Sequence, residues 1–150
     1  MNRLYIKYFD NKPEQIQFKG TYVNDKLEGT FTGYYESGKI QFEDNYVNGK
    51  VDGISKGYHR NGELDYQDTY IKGKLMSRQI YYKTGCLQCI KNYYKGQLSG
   101  KCISYHENGT VHIEQYYNNS KLDGPMRIYS DDGKLMSEIK YINGIEQTKK

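Results

Sequence analysis

Along Ile16-Gln17-Phe18-Lys19, Ile40-Gln41-Phe42-Glu43 and Leu64-Asp65-Tyr66-Gln67, apolar and polar residues alternate without error. A period of two is the mark of a β-strand with one apolar face and one wet face. The same phase returns along the chain. A Tyr recurs at Tyr22, Tyr46, Tyr70, Tyr93, Tyr117 and Tyr141, at spacings of 24, 24, 23, 24 and 24 residues. A second Tyr follows each of the first five by 12 residues, at Tyr34, Tyr58, Tyr82, Tyr105 and Tyr129. A Gly stands at Gly38, Gly62, Gly85, Gly109 and Gly133, with an aliphatic residue two positions later at Ile40, Leu64, Leu87, Val111 and Leu135. Self-similarity at this period marks a repeat architecture, which sets the fold before any local reading of elements.

Each unit reads as a hairpin. Ser37-Gly38, Asn61-Gly62 and Asn108-Gly109 offer the positive φ of tight turns, and Gly49, Gly73, Gly96 and Gly144 mark the other end. The unit is therefore expected to run strand, tight turn, strand, longer loop. Glycine spacing leaves no uninterrupted window of the ~10 to 12 residues a helix occupies, and the strand rules give about twelve strands. Aligning Tyr82-Lys83-Thr84-Gly85 with Tyr58-His59-Arg60-Asn61-Gly62 places the one-residue deletion of the short repeat in a turn. Leu4 to Tyr8 reads as a leading strand whose turn at Asp10-Asn11-Lys12-Pro13 is two residues longer. The expectation is an all-β chain, an elongated single-layer antiparallel meander of tandem hairpins. It forms one domain over 1–150, with a leading strand in 1–15, repeats over about 16–145 and a frayed charged tail, 146–150, that guards an edge.

Composition narrows the class. Only 36% of the residues are hydrophobic and the mean hydropathy is −0.95, too little to fill a thick two-layer core. The 18 Tyr against 4 Phe and no Trp suit a half-wet pleated surface. Met1 to Tyr8 runs into Phe9-Asp10-Asn11-Lys12 without an apolar core, so no signal peptide is expected. No stretch approaches the ~20 apolar residues of a membrane-spanning helix. Three Cys, an odd number, argue against a disulfide framework and for a reducing cytoplasm. The net charge of +4 is spread over interspersed signs, so no stripe for nucleic acid or cluster for anionic lipid stands out.

The spacing Tyr-x-Asn-Gly-Lys-x-x-Gly at Tyr46 to Gly53, followed by Tyr-x-x-x-Gly-x-Leu at Tyr58 to Leu64, resembles the MORN repeat, in particular its bacterial variant. The likeness is best at 22–76 and extends over about 16–145. It implies an extended, twisted antiparallel sheet with a shallow groove, and roles in protein association or membrane-proximal scaffolding. Bacterial members of the variant are often labelled antitoxin or immunity proteins. The chain departs from the pattern at Ser77, where a Gly is expected, at Ser120 in place of a turn Gly, and in lacking Trp.

Candidate chemistry adds little. His59 and His106 occupy the variable repeat position of Tyr35, Lys83 and Ser130, two repeats apart. At about 4.8 Å per strand they are separated by roughly 20 Å of sheet and cannot share a proton. His112 is placed opposite Tyr105 in the hairpin of His106, and no catalytic triad forms around it. Gly29-Thr30-Phe31-Thr32-Gly33 imitates a phosphate loop but leads into a strand. Cys86-Leu87-Gln88-Cys89 with Cys102 and His106 gives a zinc-like spacing. The repeat instead puts Cys89 at the apolar site of Phe18, Phe42, Tyr66 and Ile113, and Cys102 at that of Phe31 and Met126, where cysteine serves as a small hydrophobe. No enzyme, metal or cofactor is expected.

The Tyr row at Tyr34, Tyr58, Tyr82, Tyr105 and Tyr129 has two readings, packing between adjacent hairpins and, with His59 and His106, a contact surface for a partner. The expected function is a non-enzymatic module for protein–protein interaction, a scaffold or adaptor. The alternatives are an antitoxin or immunity protein covering a toxin and a membrane-surface binder. A second copy of the chain is a further candidate partner, and nucleic acid is not expected.

Overall fold

A computed structural model describes residues 1–147; Thr148, Lys149 and Lys150, most of the expected edge-guarding tail, lie outside the described residues. All regular structure among the described residues is β. The chain falls into two compact units, Met1–Lys74 and Leu75–Lys150.

The first unit holds β1 (Asn2–Phe9), β2 (Lys12–Val23), β3 (Lys26–Leu27), β4 (Gly29–Tyr34), β5 (Ile40–Val47), β6 (Lys50–Tyr58) and β7 (Leu64–Ile71). They pair antiparallel in the order β1-β2-β4-β5-β6-β7, with β3 on β2. The second unit holds β8 (Lys74–Tyr81, starting on the last residue of the first unit), β9 (Leu87–Tyr94), β10 (Gln97–Leu98), β11 (Gly100–Tyr105), β12 (Val111–Asn118), β13 (Lys121–Leu122), β14 (Gly124–Tyr129), β15 (Leu135–Ile142) and β16 (Ile145–Gln147). Their order is β8-β9-β11-β12-β14-β15-β16, with β10 on β9 and β13 on β12. Each unit is thus an antiparallel meander of hairpins, as the repeat predicts. The segments outnumber the expected twelve strands for two reasons. β3, β10 and β13 are first rungs cut from their return strands, and Ile145–Gln147 pairs as β16 where a frayed end was expected.

Two kinds of turn alternate, and their assignment reverses the sequence expectation. The tight two-residue turns are Asn48-Gly49, Lys72-Gly73 and their counterparts, with φ of 52° and 76° in the first and 50° and 79° in the second. Two consecutive positive φ angles define the type I′ hairpin, whose twist matches that of its strands. At Ser37-Gly38 only the Gly is left-handed, with φ 83°. There the Tyr35 N–H donates to the Lys39 carbonyl and the Gly38 N–H to the Tyr35 carbonyl, both at 2.9 Å. This is a three-residue turn closed by a left-handed Gly, repeated at His59, Tyr82, His106 and Ser130.

The deletion is not in a turn either. Turn 82–86 keeps the full pattern, Tyr82 N–H to the Cys86 carbonyl and Gly85 N–H to the Tyr82 carbonyl. Upstream, Ser77 pairs with Asn92 and Tyr81 with Leu87, matching Ile54 with Thr69 and Tyr58 with Leu64. The missing residue is therefore the bulge glycine that other repeats carry as Gly29, Gly53, Gly100 and Gly124, all at positive φ. Ser77 does not replace that Gly but follows the gap. A bulge residue has no partner of its own, so losing it leaves the later rungs on their faces. Where the bulge is present, a side chain satisfies the carbonyl just after it. Asn45 Nδ2 donates to the Ile54 carbonyl at 2.9 Å and Asn92 Nδ2 to the Lys101 carbonyl at 2.6 Å.

At the start, Phe9 pairs with Lys12 around a tight Asp10-Asn11 turn, with register shifts on either side of Tyr8. The extra length expected in that turn lies in β2, which includes Lys12 and Pro13.

Candidate partner-binding face

Directly opposed residues of antiparallel strands share a face, so the register sorts the side chains. In the first unit Gly33 opposes Phe42 and Phe31 opposes Asp44. On that face the Phe18 and Phe31 rings stack at 5.8 Å, Phe31 and Phe42 lie 6.1 Å apart, and Tyr46 meets Phe31 edge-on at 6.2 Å. Tyr5 completes the cluster at 6.3 Å from Phe31. The Phe42 ring lies directly where a Cβ of Gly33 would stand, and the Tyr66 ring does the same over Gly57. Burial, and behind it the charge of Asp44, raises the Tyr46 phenol above its ordinary pKa.

In the second unit the same face carries Cys89, Ser104, Ile113, Met126 and Ile128 around Cys102. Cys102, 6% exposed, is the one buried hydrophobic side chain among the described residues. Desolvation raises the Cys89 thiol above its ordinary value, which makes it a poor nucleophile at neutral pH. Gln115 reaches Met126 Sδ at 3.3 Å, and the Tyr117 hydroxyl donates to Gln115 Oε1 at the same distance.

The opposite face is polar. In the first unit it holds an open groove of about 240 Å³ lined by Thr30, Glu43, Asn45, Ile54, Lys56 and Gln67. In the second unit charges form a ladder across the strands. Lys101 Nζ lies 2.5 Å from Glu114 Oε1, Arg127 bridges to Glu114 Oε2 at 3.8 Å, and Arg127 Nε donates to Glu138 Oε2 at 2.6 Å. The Lys101 hydrogen bond lowers the Glu114 carboxyl below its usual range.

The Tyr row of the repeat belongs with this polar face. Tyr58 donates to Glu43 Oε2 at 2.9 Å and Tyr129 to Glu114 Oε2 at 3.4 Å. Desolvation, then the bond to Glu43, pushes the Tyr58 phenol up to about 12. Tyr34 and Tyr105 close the same rung, opposite Ile40 and Val111. Tyr82 does not belong to the row. The deletion puts Tyr81 in it, with its hydroxyl on Gln79 Oε1 at 2.7 Å.

Tyr82, and not Lys83 as the sequence alignment places it, shares the position of Tyr35, His59 and His106. Side chains there stitch one hairpin to the next. The Tyr35 hydroxyl donates to the Tyr58 carbonyl at 2.6 Å, the Tyr82 hydroxyl to the Tyr105 carbonyl at 2.9 Å, and His106 Nε2 lies 3.0 Å from the Tyr129 carbonyl. His59 Nε2 lies 3.4 Å from Asp65 Oδ1. His112 does not oppose Tyr105, whose partner is Val111; its ring packs on His106 at 4.3 Å. Of the zinc-like set, Cys86 is exposed in its turn, Cys89 is half-buried and Cys102 is buried. Among the described residues no three His, Cys, Asp or Glu side chains gather as a metal site. Among the described residues no helix is long and apolar enough to cross a membrane.

An open antiparallel sheet with an aromatic face and a charged face is the frame of a repeat-type binding module. The model of the MORN repeat variant matches residues 27–48, 51–72, 98–119 and 122–143. These four segments make up more than half of the chain, which belongs to the MORN repeat variant family. The family's repeats are non-catalytic modules that bind proteins or membranes. The unmatched stretch between 72 and 98 is the repeat that lost its bulge glycine. No curated protein matches the chain. Among solved structures, the crystal structure of a GtfA/B complex bound to UDP and GlcNAc is 13% identical with a TM-score of 0.32; the match covers 91% of this chain and 26% of that one. The chain thus spans about a quarter of that protein's length.

Proposed function

We propose that the chain is a protein-binding module and that its partner docks on the apolar face. The supporting observation is the state of that face. Cys102 is the one buried hydrophobic side chain among the described residues, while Phe18, Phe31, Phe42 and Tyr46 are half-buried. Half-buried rings gain further when a partner removes the remaining area from water, at about 25 cal/mol per Å². The make-up of that face in each unit favours protein over lipid as the partner. Asp44 in the first unit and Lys91 in the second stand among its apolar residues, and hydrocarbon offers such charged groups no partner, whereas a protein can pair them.

Capture from the native cell tests the reading, with wild-type protein compared against Phe31→Ser on the apolar face and Lys56→Ser on the polar face, each at a temperature where its urea transition shows it folded. The expected outcome is a specific protein partner lost with Phe31→Ser and kept with Lys56→Ser. The reverse pattern, or binding to anionic liposomes that Phe31→Ser leaves intact, contradicts it. A toxin as the captured protein would make the module an immunity protein; a larger assembly would make it an adaptor.

A further inference from the structure

The centre of the aromatic face holds a carboxylate. Asp44 is opposed by Phe31 on one side and by Ser55 on the other, so it sits in the face that Phe31, Phe42 and Tyr46 line. Ser55, itself 4% exposed, donates its hydroxyl to Asp44 Oδ1. Among the described residues no cation lies within ion-pair distance of Asp44, and its Oδ2 takes no hydrogen bond. Its neighbour along the same row, Asp68, is 1% exposed and has its own interactions, with the Tyr70 hydroxyl 3.5 Å from its Oδ2. Asp44 is only half-buried, so a ligand can reach it.

A half-desolvated carboxylate with one hydrogen bond is costly in the free protein, and a cation brought by a ligand relieves that cost. The surroundings select the cation. One carboxylate is too few oxygen ligands for a hard metal ion. Aromatic faces attract organic cations, and guanidinium is planar, weakly hydrated and able to fork onto a carboxylate while stacking on a ring.

We propose that Asp44 receives an arginine side chain of the partner protein, its guanidinium paired with the carboxylate and packed against the Phe31, Phe42 and Tyr46 rings. This rests on the apolar face being the docking surface and adds the chemistry of its anchor.

The test titrates acetyl-Gly-Arg-Gly-amide, and its citrulline counterpart, into the full chain while ring and backbone NMR signals are followed. Citrulline keeps the shape of arginine and removes the charge. The expected result is saturable shifts at Phe31, Phe42 and Tyr46 with the arginine peptide, at least about tenfold weaker with citrulline and in Asp44→Asn. Asp44→Asn should keep or raise the urea midpoint, because it removes an unpaired charge; a carboxylate needed for folding would lower it. Equal response to both peptides, or shifts centred on Glu43 of the polar face, would overturn the assignment, and the wild-type peptide comparison decides even should Asp44→Asn fold poorly. If Phe31→Ser, shown to be folded at the capture temperature by its urea transition, loses the cellular partner while Asp44→Asn captures it as well as wild type does, the arginine assignment fails and the docking face stands. If Phe31→Ser captures it as well as wild type does, the docking face itself fails.

Discussion

The two units carry the same hairpin unit and fill it with opposite materials. On the apolar face of the first, a bare glycine lies under Phe42 at Gly33 and under Tyr66 at Gly57. In the second, the same rungs are Ile80 with Cys89, Ser104 with Ile113 and Ile128 with Ser137. Large faces small in every case, but the large member changes strands at Ile80 and Ile128. The fold therefore constrains the summed volume of a rung and leaves open which strand supplies it, as interiors that tolerate volume-conserving exchanges do. The polar faces differ as well. Both have a phenol bound to a glutamate, Tyr58 on Glu43 and Tyr129 on Glu114, but in the second unit that glutamate also anchors a ladder of ion pairs.

Five substitutions sharpen this contrast. Phe31→Ala removes the ring that touches Tyr5, Phe18, Phe42 and Tyr46 and should cost about 3 kcal/mol in urea unfolding; a cost below about 1 kcal/mol would show that the rings do not hold the unit. Gly57→Ala puts a Cβ into the Tyr66 ring and should cost about 1–3 kcal/mol. Ser104→Ala, on the matching rung of the second unit, should cost less than about 1 kcal/mol. Equal costs at the two positions would contradict the volume rule.

Ser120 stands at φ 64°, where its counterparts are Asp25 at φ 59° and otherwise the glycines Gly49, Gly73, Gly96 and Gly144. Ser120→Gly relieves left-handed strain of roughly 1 kcal/mol but gives up the hydrogen bond from the Leu98 N–H to the Ser120 hydroxyl, 3.2 Å long. The net expected effect is a stabilisation of a few tenths of a kcal/mol, read as a higher urea midpoint.

The smallest effect concerns pH. Because the Glu114 pKa is lowered in the folded state, chiefly by Lys101, its contribution is present above the ordinary carboxyl range and is lost as pH falls through the lowered value. Glu114→Gln should accordingly flatten the loss of stability below about pH 4.5, with little change at pH 7 because exposed pairs contribute only ~0–1 kcal/mol. An unchanged acid limb in that variant would remove the ladder from the account.

The strands, the hairpin order and the family were legible in the sequence because period-two alternation and a 24-residue Tyr clock are direct consequences of backbone geometry. Turn type was not. Ser37-Gly38 and Asn48-Gly49 look alike as dipeptides, and only φ shows one left-handed residue in the first and two in the second. The deletion was misplaced for a related reason. Tyr81-Tyr82 offers two tyrosines to align, and strand register alone decides which one opposes Leu87. With it went the Tyr row, which took in Tyr82 and lies on the charged face with Glu43 and Glu114. The apolar face could have been found from the rungs, since the alternation that makes Phe42 apolar also makes Gly33 its partner, but pairing between strands is absent from a one-dimensional pattern.

The claim on which the account turns is that the aromatic side of the sheet meets the partner and the charged side does not. A photo-crosslinking residue placed at Tyr46, and separately at Lys56, and activated in the native cell measures this directly. The account predicts one protein adduct from position 46 and none from position 56; an adduct from position 56 alone would contradict it.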